Sequence, residues 1–270
     1  MSILNLSKTM LNKPLLSIVL PCIRPDNLDA IYKSIELSAT KKENTWELVI
    51  VGPYDLPETL KDKPNVKFFK DWGSGVRASC IASNLCEGKL VTWSADDALF
   101  IPEALDKNIE LLLSLGKNER NVVVAKYYEG QNGTQKPLQP DGYFKIGGSP
   151  WTYTPYVNPE WWLFNVGIMY RSFFDDLGGW DASYQGTFYS HTDIAIRAQA
   201  DRANVVMSGF PLLDCHWGQD DHAPIENAQT NYDKPLYFET YGKPDWTSKM
   251  LPLDDWKKAS QRWKLRFGDE

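Results

Sequence analysis

The chain is poor in features that mark several large classes of protein. Its four cysteines form no Cys-x-x-Cys pair, so a zinc site built from thiolates is not expected. The longest apolar run near the N-terminus, Leu15 to Leu20, is too short to span a bilayer, and nothing before it resembles a signal peptide. The formal net charge of −6 supplies no positive field for nucleic acid. We therefore expect a cytoplasmic protein with no transmembrane segment and no nucleic-acid partner.

The composition is that of a globular protein rich in tryptophan. The 270 residues suffice for one large domain, or for a domain with an appendage. Hydrophobic residues make up 43% and charged residues 24%, the usual balance of a soluble protein. Many of the 11 tryptophans lie in the second half, in loops that also contain tyrosine and proline. Such loops suit stacking on sugars or bases, but they suit ordinary packing as well.

The first half alternates short apolar runs with segments of helical periodicity. Strands are predicted at 16–20, 47–51, 66–69, 90–93 and 122–125. Helices are predicted at 25–35, 74–85 and 103–115. This alternation predicts an α/β fold, in which a mostly parallel sheet is covered by helices on both faces.

The second half is less regular. Residues 127–162 are rich in glycine, proline and aromatic residues and show little periodicity, which is typical of a functional or mobile loop. Beyond it, strands are predicted at 166–170 and 204–208, and helices at 171–177, 193–202 and 254–267.

Two adjacent carboxylates, Asp96 and Asp97, follow the apolar strand that runs from Leu90 to Trp93. Charged groups at the end of a buried strand need a cation, an arginine or a wet cleft, because desolvation is costly. In open α/β sheets, ligands bind at the carboxyl ends of the strands. The pair is therefore a candidate for a divalent cation and, through it, a diphosphate. A solvated turn before the helix that Pro102 opens is the alternative.

The order of these pieces resembles the family-2 glycosyltransferases, which have the A-type (GT-A) fold, a Rossmann-like sheet with one nucleotide-sugar site. The resemblance covers about residues 15–220 and rests on four motifs. They are the strand and proline loop 17–25, the strand and acidic pair 88–97, Gly178-Gly179-Trp180-Asp181, and Asp193-Ile194-Ala195-Ile196-Arg197. It implies a GT-A domain over residues 1–222, with a nucleotide-binding half at about 15–125 and an acceptor half at about 126–222. Residues 223–270 would form a C-terminal extension with an amphipathic helix.

The resemblance also implies a metal site and a nucleotide site. Asp97 should bind Mn²⁺ or Mg²⁺, and Asp96 the ribose or a metal-bound water. His216 should supply a third metal ligand, with His222 as its competitor and a half-buried, backbone-bonded histidine as the alternative. The remaining candidates for nucleotide contacts are Pro21, Cys22, Arg24, Asp55 and Arg77. For Arg77, a surface salt bridge is the alternative.

The sequence departs from the family pattern at several of these positions. Ala95 stands where an aspartate is usual, and Gly52-Pro53 replaces the acidic residues that read the base. His191 stands at the position of the general base, normally an aspartate, and Ser190 replaces the glutamate before it. Either His191 or Asp193 could be the base, while Asp193 could instead be a helix N-cap.

Three tryptophans in the acceptor half, Trp151, Trp161 and Trp162, are candidates for a platform that binds the acceptor or the sugar. A packed aromatic cluster is the alternative.

By resemblance, the chain is a metal-dependent, inverting glycosyltransferase. It would move a sugar from a nucleotide-diphosphate sugar, with UDP favoured, to a carbohydrate or other hydroxyl acceptor. A nucleotidyltransferase would need a glycine-rich loop after the first strand, and residues 20–26 contain no glycine. A non-catalytic sugar- or nucleotide-binding protein that retains the fold is the third interpretation.

Overall fold

The computed structural model describes residues 13–129, 138–141, 144–149, 151–215 and 227–246. Its strands, in chain order, are β1 (Leu16–Pro21), β2 (Trp46–Gly52), β3 (Val66–Lys70), β4 (Leu90–Trp93), β5 (Ala98–Phe100), β6 (Asn121–Val124), β7 (Tyr127–Glu129), β8 (Leu138–Asp141), β9 (Gly167–Tyr170), β10 (Asn204–Met207) and β11 (Leu213–Cys215). Its α-helices are α1 (Leu28–Ser38), α2 (Glu58–Lys61), α3 (Gly75–Leu85), α4 (Ala104–Ser114), α5 (Arg171–Asp176), α6 (Thr187–Ala200) and α7 (Lys234–Tyr241).

Seven strands form the central sheet, in the order β10-β6-β9-β4-β1-β2-β3. All of them run in one direction except β9, which is antiparallel to β4 and to β6. Val19 of β1 lies opposite Val49 on one side and Trp93 on the other. The carboxyl ends of β4, β1, β2 and β3 therefore share one edge of the sheet, which we call the carboxyl edge.

The apolar runs of the first half form strands that are buried on both faces. Every residue of β1 except Pro21 is buried, and so is every residue of β2 except Trp46. Helix α3 packs against β1 and β2, whereas α4 packs against β6 and β9. Burial on both faces explains why these strands are continuously apolar rather than alternating. The predicted α/β fold with a mostly parallel sheet is confirmed.

A buried carboxylate positions the start of β4. Glu47 Oε1 accepts hydrogen bonds from Ser17 Oγ at 2.5 Å and from the Gly88 N–H at 3.1 Å, while Lys67 Nζ lies 2.8 Å from Oε2. A Cβ on Gly88 would lie 2.6 Å from Ser17 N, so only glycine allows this approach of the two chains. The acidic pair at the other end of β4 is thereby held in register with β1.

The second half is more regular than its sequence indicates. Strands β7 and β8 lie within the segment predicted to be irregular, and they join β5 and β11 in a second sheet of order β5-β11-β7-β8. Other described residues of this region are joined by backbone hydrogen bonds, such as Ile146 N–H to Trp161 O at 2.7 Å and Leu163 N–H to Phe144 O at 2.8 Å. Strands β5 and β11 and helices α2 and α7 were not predicted.

The predicted start of the helix at Asp193 was wrong. Helix α6 begins at Thr187 and Gly186 is its N-cap, so Asp193 lies in the middle of the helix and does not cap it. Its side chain is 4% exposed and faces the protein interior.

Residues 227–246 pack against α6 and against the loop that contains Thr152. A short π-helix, Gln229–Asp233, continues directly into α7. Tyr237 and Tyr241 of α7 belong to the main hydrophobic core. The predicted amphipathic helix at 254–267 lies outside the described residues, and the domain boundary at residue 222 stays a prediction. In the part of the chain that is described, no helix has both the length and the apolar character needed to cross a membrane.

Candidate functional site

Four loops meet at the carboxyl edge, one after each of β1, β2, β3 and β4. The first two approach closely, because the Cys22 N–H donates to Val51 O at 2.9 Å. A Cβ on Gly52 would lie 1.8 Å from the Cys22 carbonyl oxygen, so no other residue fits there without moving the backbone. This contact gives a steric reason for the glycine at position 52.

Asp96 joins the loop after β4 to the loop after β1. Its side chain is 7% exposed. Oδ2 accepts from the Ile23 and Arg24 N–H groups at 2.6 and 2.9 Å, and Oδ1 accepts from Arg24 Nη1 at 2.5 Å. Burial, with a contribution from Asp96, raises the pKa of the Cys22 thiol to about 12, so Cys22 is not a thiolate nucleophile. The structure thus brings together three residues predicted to line the nucleotide pocket.

Asp97 lies between this pair of loops and the second sheet. It is partly buried and immediately precedes Ala98 of β5, which pairs with Cys215 of β11. His216, the predicted third metal ligand, follows Cys215 in the chain but lies outside the described residues, as does His222. Among the described residues, no group of three or more His, Cys, Asp or Glu side chains could hold a metal ion. In proteins, Mg²⁺ is often held by one or two carboxylates together with substrate phosphates, a mode that does not require such a group.

Arg77 is bound to an acidic residue of the loop after β3. Its Nε and Nη2 donate to Asp71 Oδ1 at 3.0 and 2.8 Å, and Nε also lies 2.9 Å from Oδ2. The two side chains are only 17% and 9% exposed, so this is not a surface salt bridge. The N–H of Arg77 donates to the Ser74 hydroxyl, which caps α3. The pair fixes the loop after β3 against the start of α3.

Two exposed aromatic side chains stand on the carboxyl edge, and the sequence analysis missed them. Tyr54 follows β2 and Trp72 follows β3, and their ring centroids lie 5.8 Å apart in an edge-to-face arrangement. Trp72 is 69% exposed and Tyr54 is 49% exposed. Their position directly after two parallel strands was the available signal. The neighbouring Asp55 is exposed and pairs with Lys70 at 2.9 Å, and this hydrogen bond lowers the pKa of the Asp55 carboxyl.

His191 of α6 lies close to β4, against two indole rings. Its ring centroid is 5.9 Å from that of Trp93 and 5.2 Å from that of Trp180. Burial lowers the pKa of His191 to about 4, so the imidazole is neutral at pH 7. The indole Nε1 of Trp180 is buried and has no hydrogen-bond partner among the described residues.

Asp193, the other candidate base, is part of a buried hydrogen-bonded network. Its Oδ2 accepts from Arg197 Nε at 2.8 Å and its Oδ1 accepts from the Tyr241 hydroxyl at 2.5 Å. Burial raises the pKa of this carboxyl, whereas the positive charge of Arg197 opposes the shift. Both oxygens are thus engaged inside the protein.

The three candidate tryptophans, Trp151, Trp161 and Trp162, differ in their surroundings. Trp151 is 62% exposed, with Lys234 Nζ 5.5 Å from its ring centroid. Trp161 packs edge-to-face on Trp246 at 6.2 Å, whereas Lys145 Nζ lies 5.1 Å above the ring of Trp162. Trp161 and Trp162 are partly buried. Only Trp151 of the three presents most of its surface to solvent.

Comparison with known proteins identifies a shared fold. No protein-family model matches the chain, and no curated protein matches it. Among the solved structures that match is S. aureus TarS 1–349, a wall teichoic acid glycosyltransferase, with a TM-score of 0.54 and 12% sequence identity. The match covers 94% of this chain and 72% of the TarS chain. At this identity the likeness establishes the fold alone, which is Rossmann-like with a mostly parallel central sheet.

Proposed function

We propose that the chain is a glycosyltransferase that takes its sugar from a nucleotide-diphosphate donor, with UDP as the favoured nucleotide. One observation carries the proposal: the buried Asp96, in the loop after β4, holds the loop after β1 at the same edge of the sheet that carries Asp97 and the exposed Tyr54–Trp72 pair. Ligands of open α/β sheets bind at this edge. The same fold in a known glycosyltransferase supports the proposal without deciding it.

The nucleotide would bind across the carboxyl edge. Trp72 and Tyr54 offer exposed rings for stacking on the base, and stacking tolerates any base because every base has an aromatic face. Pro21, Cys22 and Arg24 would line the pocket from the loop after β1, with Asp55 at its rim. Arg77 is held by Asp71, so we assign it to ordering the loop after β3 rather than to binding phosphate.

The cation would be Mn²⁺ or Mg²⁺, held by Asp97 and the diphosphate, with His216 as the proposed further ligand. Oxygen ligands of this kind suit hard cations. When bound, the cation would offset the charge that builds on the leaving nucleoside diphosphate. Asp96 would hold the loop after β1, since its carboxylate already binds Arg24, while its contact with the ribose is proposed from the family resemblance alone.

Transfer would be a single displacement with inversion. The acceptor oxygen bonds to the anomeric carbon as the bond from that carbon to the diphosphate oxygen breaks, and the acceptor proton passes to the base. The contacts favour His191 over Asp193 as this base, because both Asp193 oxygens are already hydrogen-bonded. A pKa of about 4 makes a weak base, and a negative charge brought close to the imidazole by the substrate would raise it. Trp151 would offer the acceptor an exposed aromatic face.

Thermal unfolding with UDP, GDP and CDP, each with and without Mn²⁺, tests the metal and nucleotide site. A ligand at 100 times its Kd stabilises the native state by about 2.7 kcal/mol. We expect this stabilisation with one nucleotide, dependent on Mn²⁺, in the wild type and not in Asp97→Asn. Asp62→Asn is the matched control, because Asp62 is an exposed acid just after α2, between β2 and β3. Stabilisation by none of the nucleotides would refute the proposal.

A non-catalytic binding protein with the same fold is the second candidate. The weak basicity of His191 and the engaged carboxylate of Asp193 favour it. Incubation with UDP-sugars and Mn²⁺ separates the two, since only an enzyme releases UDP. Nucleotide-dependent stabilisation without any release of UDP, in the presence of a range of hydroxyl acceptors, would support the binding protein.

A further inference from the structure

A buried network connects three segments that are distant in the sequence. Arg197 of α6 donates from Nη2 to Gly179 O at 2.7 Å and from Nη1 to Leu177 O, while Asp193 pairs with it one helical turn earlier. The hydroxyl of Tyr241, in α7, donates to Asp193 Oδ1, whereas Arg197 binds Oδ2. Asp193 and Arg197 are 3% exposed and Tyr241 is 1% exposed. The network therefore joins α6, the turn after α5 and the segment 227–246.

The turn held by Arg197 is followed by Trp180, which packs against His191. Gly178 and Gly179 have φ values of 83° and 66°, in the left-handed region that favours glycine, and Trp180 follows them directly. The Trp180 indole lies 5.2 Å from the His191 ring and 5.1 Å from Trp93. A movement of this turn relative to α6 would therefore change what surrounds the imidazole.

The segment 227–246 contacts α6 at its beginning and in its middle. Asp233 is fully buried and accepts hydrogen bonds from the Gln185 and Gly186 N–H groups, at 2.8 and 2.6 Å, just before the helix begins. Tyr237 donates to Thr152 O at 2.6 Å, next to Trp151. The segment 227–246 therefore joins α6 to the loop that carries Trp151.

We propose that Asp193, Arg197 and Tyr241 are positioning residues for His191, and that residues 227–246 are thereby an integral part of the acceptor half of the site. Asp193 orients Arg197, which holds the Gly178–Trp180 turn against α6, and Tyr241 holds Asp193. The positioning role depends only on these contacts, whereas its effect on the rate of sugar transfer rests on the proposed function.

The test removes one hydrogen bond and leaves the packing in place. Tyr241→Phe keeps the ring, which packs on Tyr237 at 5.1 Å, and loses only the hydroxyl that binds Asp193. Tyr32→Phe is the matched control, because its hydroxyl binds Asn65 Oδ1 at 3.1 Å, in a contact that involves neither α6 nor α7. If Tyr241→Phe does not fold, Arg197→Lys replaces it, since lysine keeps the charge but lacks the planar fork that reaches two carbonyls.

The readout is the imidazole proton signal of His191 in the NMR spectrum. The chain has only three histidines, so loss of one signal in His191→Gln assigns it. We expect Tyr241→Phe to shift this signal and to raise its titration midpoint towards the ordinary value of about 6.5. Tyr32→Phe should leave both unchanged. An unchanged His191 signal and midpoint in folded Tyr241→Phe would overturn the proposal, whereas a general loss of stability does not move either.

The activity measurement separates this inference from the proposed function. If the wild type transfers sugar, Tyr241→Phe should lower kcat by about tenfold to a hundredfold, because small misplacements of catalytic groups have effects of that size. Its nucleotide-dependent stabilisation should match that of the wild type. A wild type that binds no nucleotide would refute the proposed function while the NMR result still decided the positioning role.

Discussion

Replacing His191 by glutamine should make the protein more resistant to acid. In the native state the imidazole lies against Trp93 and Trp180, and its burial lowers the pKa to about 4. In the unfolded chain the pKa is about 6.5. Below pH 6.5 the unfolded state therefore binds a proton that the native state does not, so acid favours unfolding. Above pH 6.5 the titration of His191 hardly changes the free energy of unfolding. As the pH falls from 6.5 towards 4, it lowers the free energy of unfolding progressively.

The size of the effect follows from the two pKa values. Between pH 7 and pH 5, the difference in proton binding lowers the free energy of unfolding by about 2 kcal/mol. At pH 4, where the native imidazole is half protonated, the loss reaches about 3 kcal/mol. His191→Gln has no titrating group at this position. On going from pH 7 to pH 5 or to pH 4, its free energy of unfolding should therefore fall by about 2 or about 3 kcal/mol less than that of the wild type.

Urea unfolding at several pH values between 7 and 4.5 measures both curves. Every other titrating group is the same in the two proteins, so the difference between the curves isolates His191. The cost of burying an amide shifts the variant curve by a constant and leaves its pH dependence intact. Parallel curves would refute the reasoning, because they would mean that the indole rings do not desolvate the imidazole.

Two further predictions concern the carboxyl edge. Gly52→Ala should destabilise the protein by about 1–3 kcal/mol in urea unfolding, because the new Cβ overlaps the Cys22 carbonyl. Gly75→Ala is its control, since a Cβ there meets only Thr187 Cγ2 at 3.8 Å, and equal effects would argue against the steric reason. Trp72→Ala should weaken the binding of the preferred nucleotide by about 1–3 kcal/mol in calorimetry, while Trp72→Phe retains most of the affinity. Unchanged affinity in Trp72→Ala would exclude base stacking on this ring.

The order of elements and the acidic pair could be predicted from local patterns. Apolar runs such as Leu16 to Leu20 form buried parallel strands because both faces of the sheet are covered. Asp96 could be placed at the carboxyl edge because it lies three residues after the end of such a strand. These inferences need only the residues within one element and its neighbours in the chain.

The start of α6 shows why other boundaries could not be predicted. Gly186 is a weak N-cap signal, and no acidic residue lies in the first turn of the helix. The N–H groups of Gln185 and Gly186 are instead satisfied by Asp233, 47 residues or more further along the chain. A partner so distant leaves no periodic signal near the helix, so the pattern of apolar residues placed its start at Asp193.

The sequence by itself determined the α/β class, most strands and the place of the acidic pair, because these depend on periodicity and on residue type. Only the tertiary structure decided what each polar side chain binds. Asp96 pairs with Arg24 across 72 residues, and Asp193 takes the hydroxyl of Tyr241 across 48. Such partners are chosen by which buried groups need a hydrogen bond once the core has formed, since an unsatisfied buried charge is costly. Whether a carboxylate is exposed to a ligand or bound inside the protein is therefore decided by the fold.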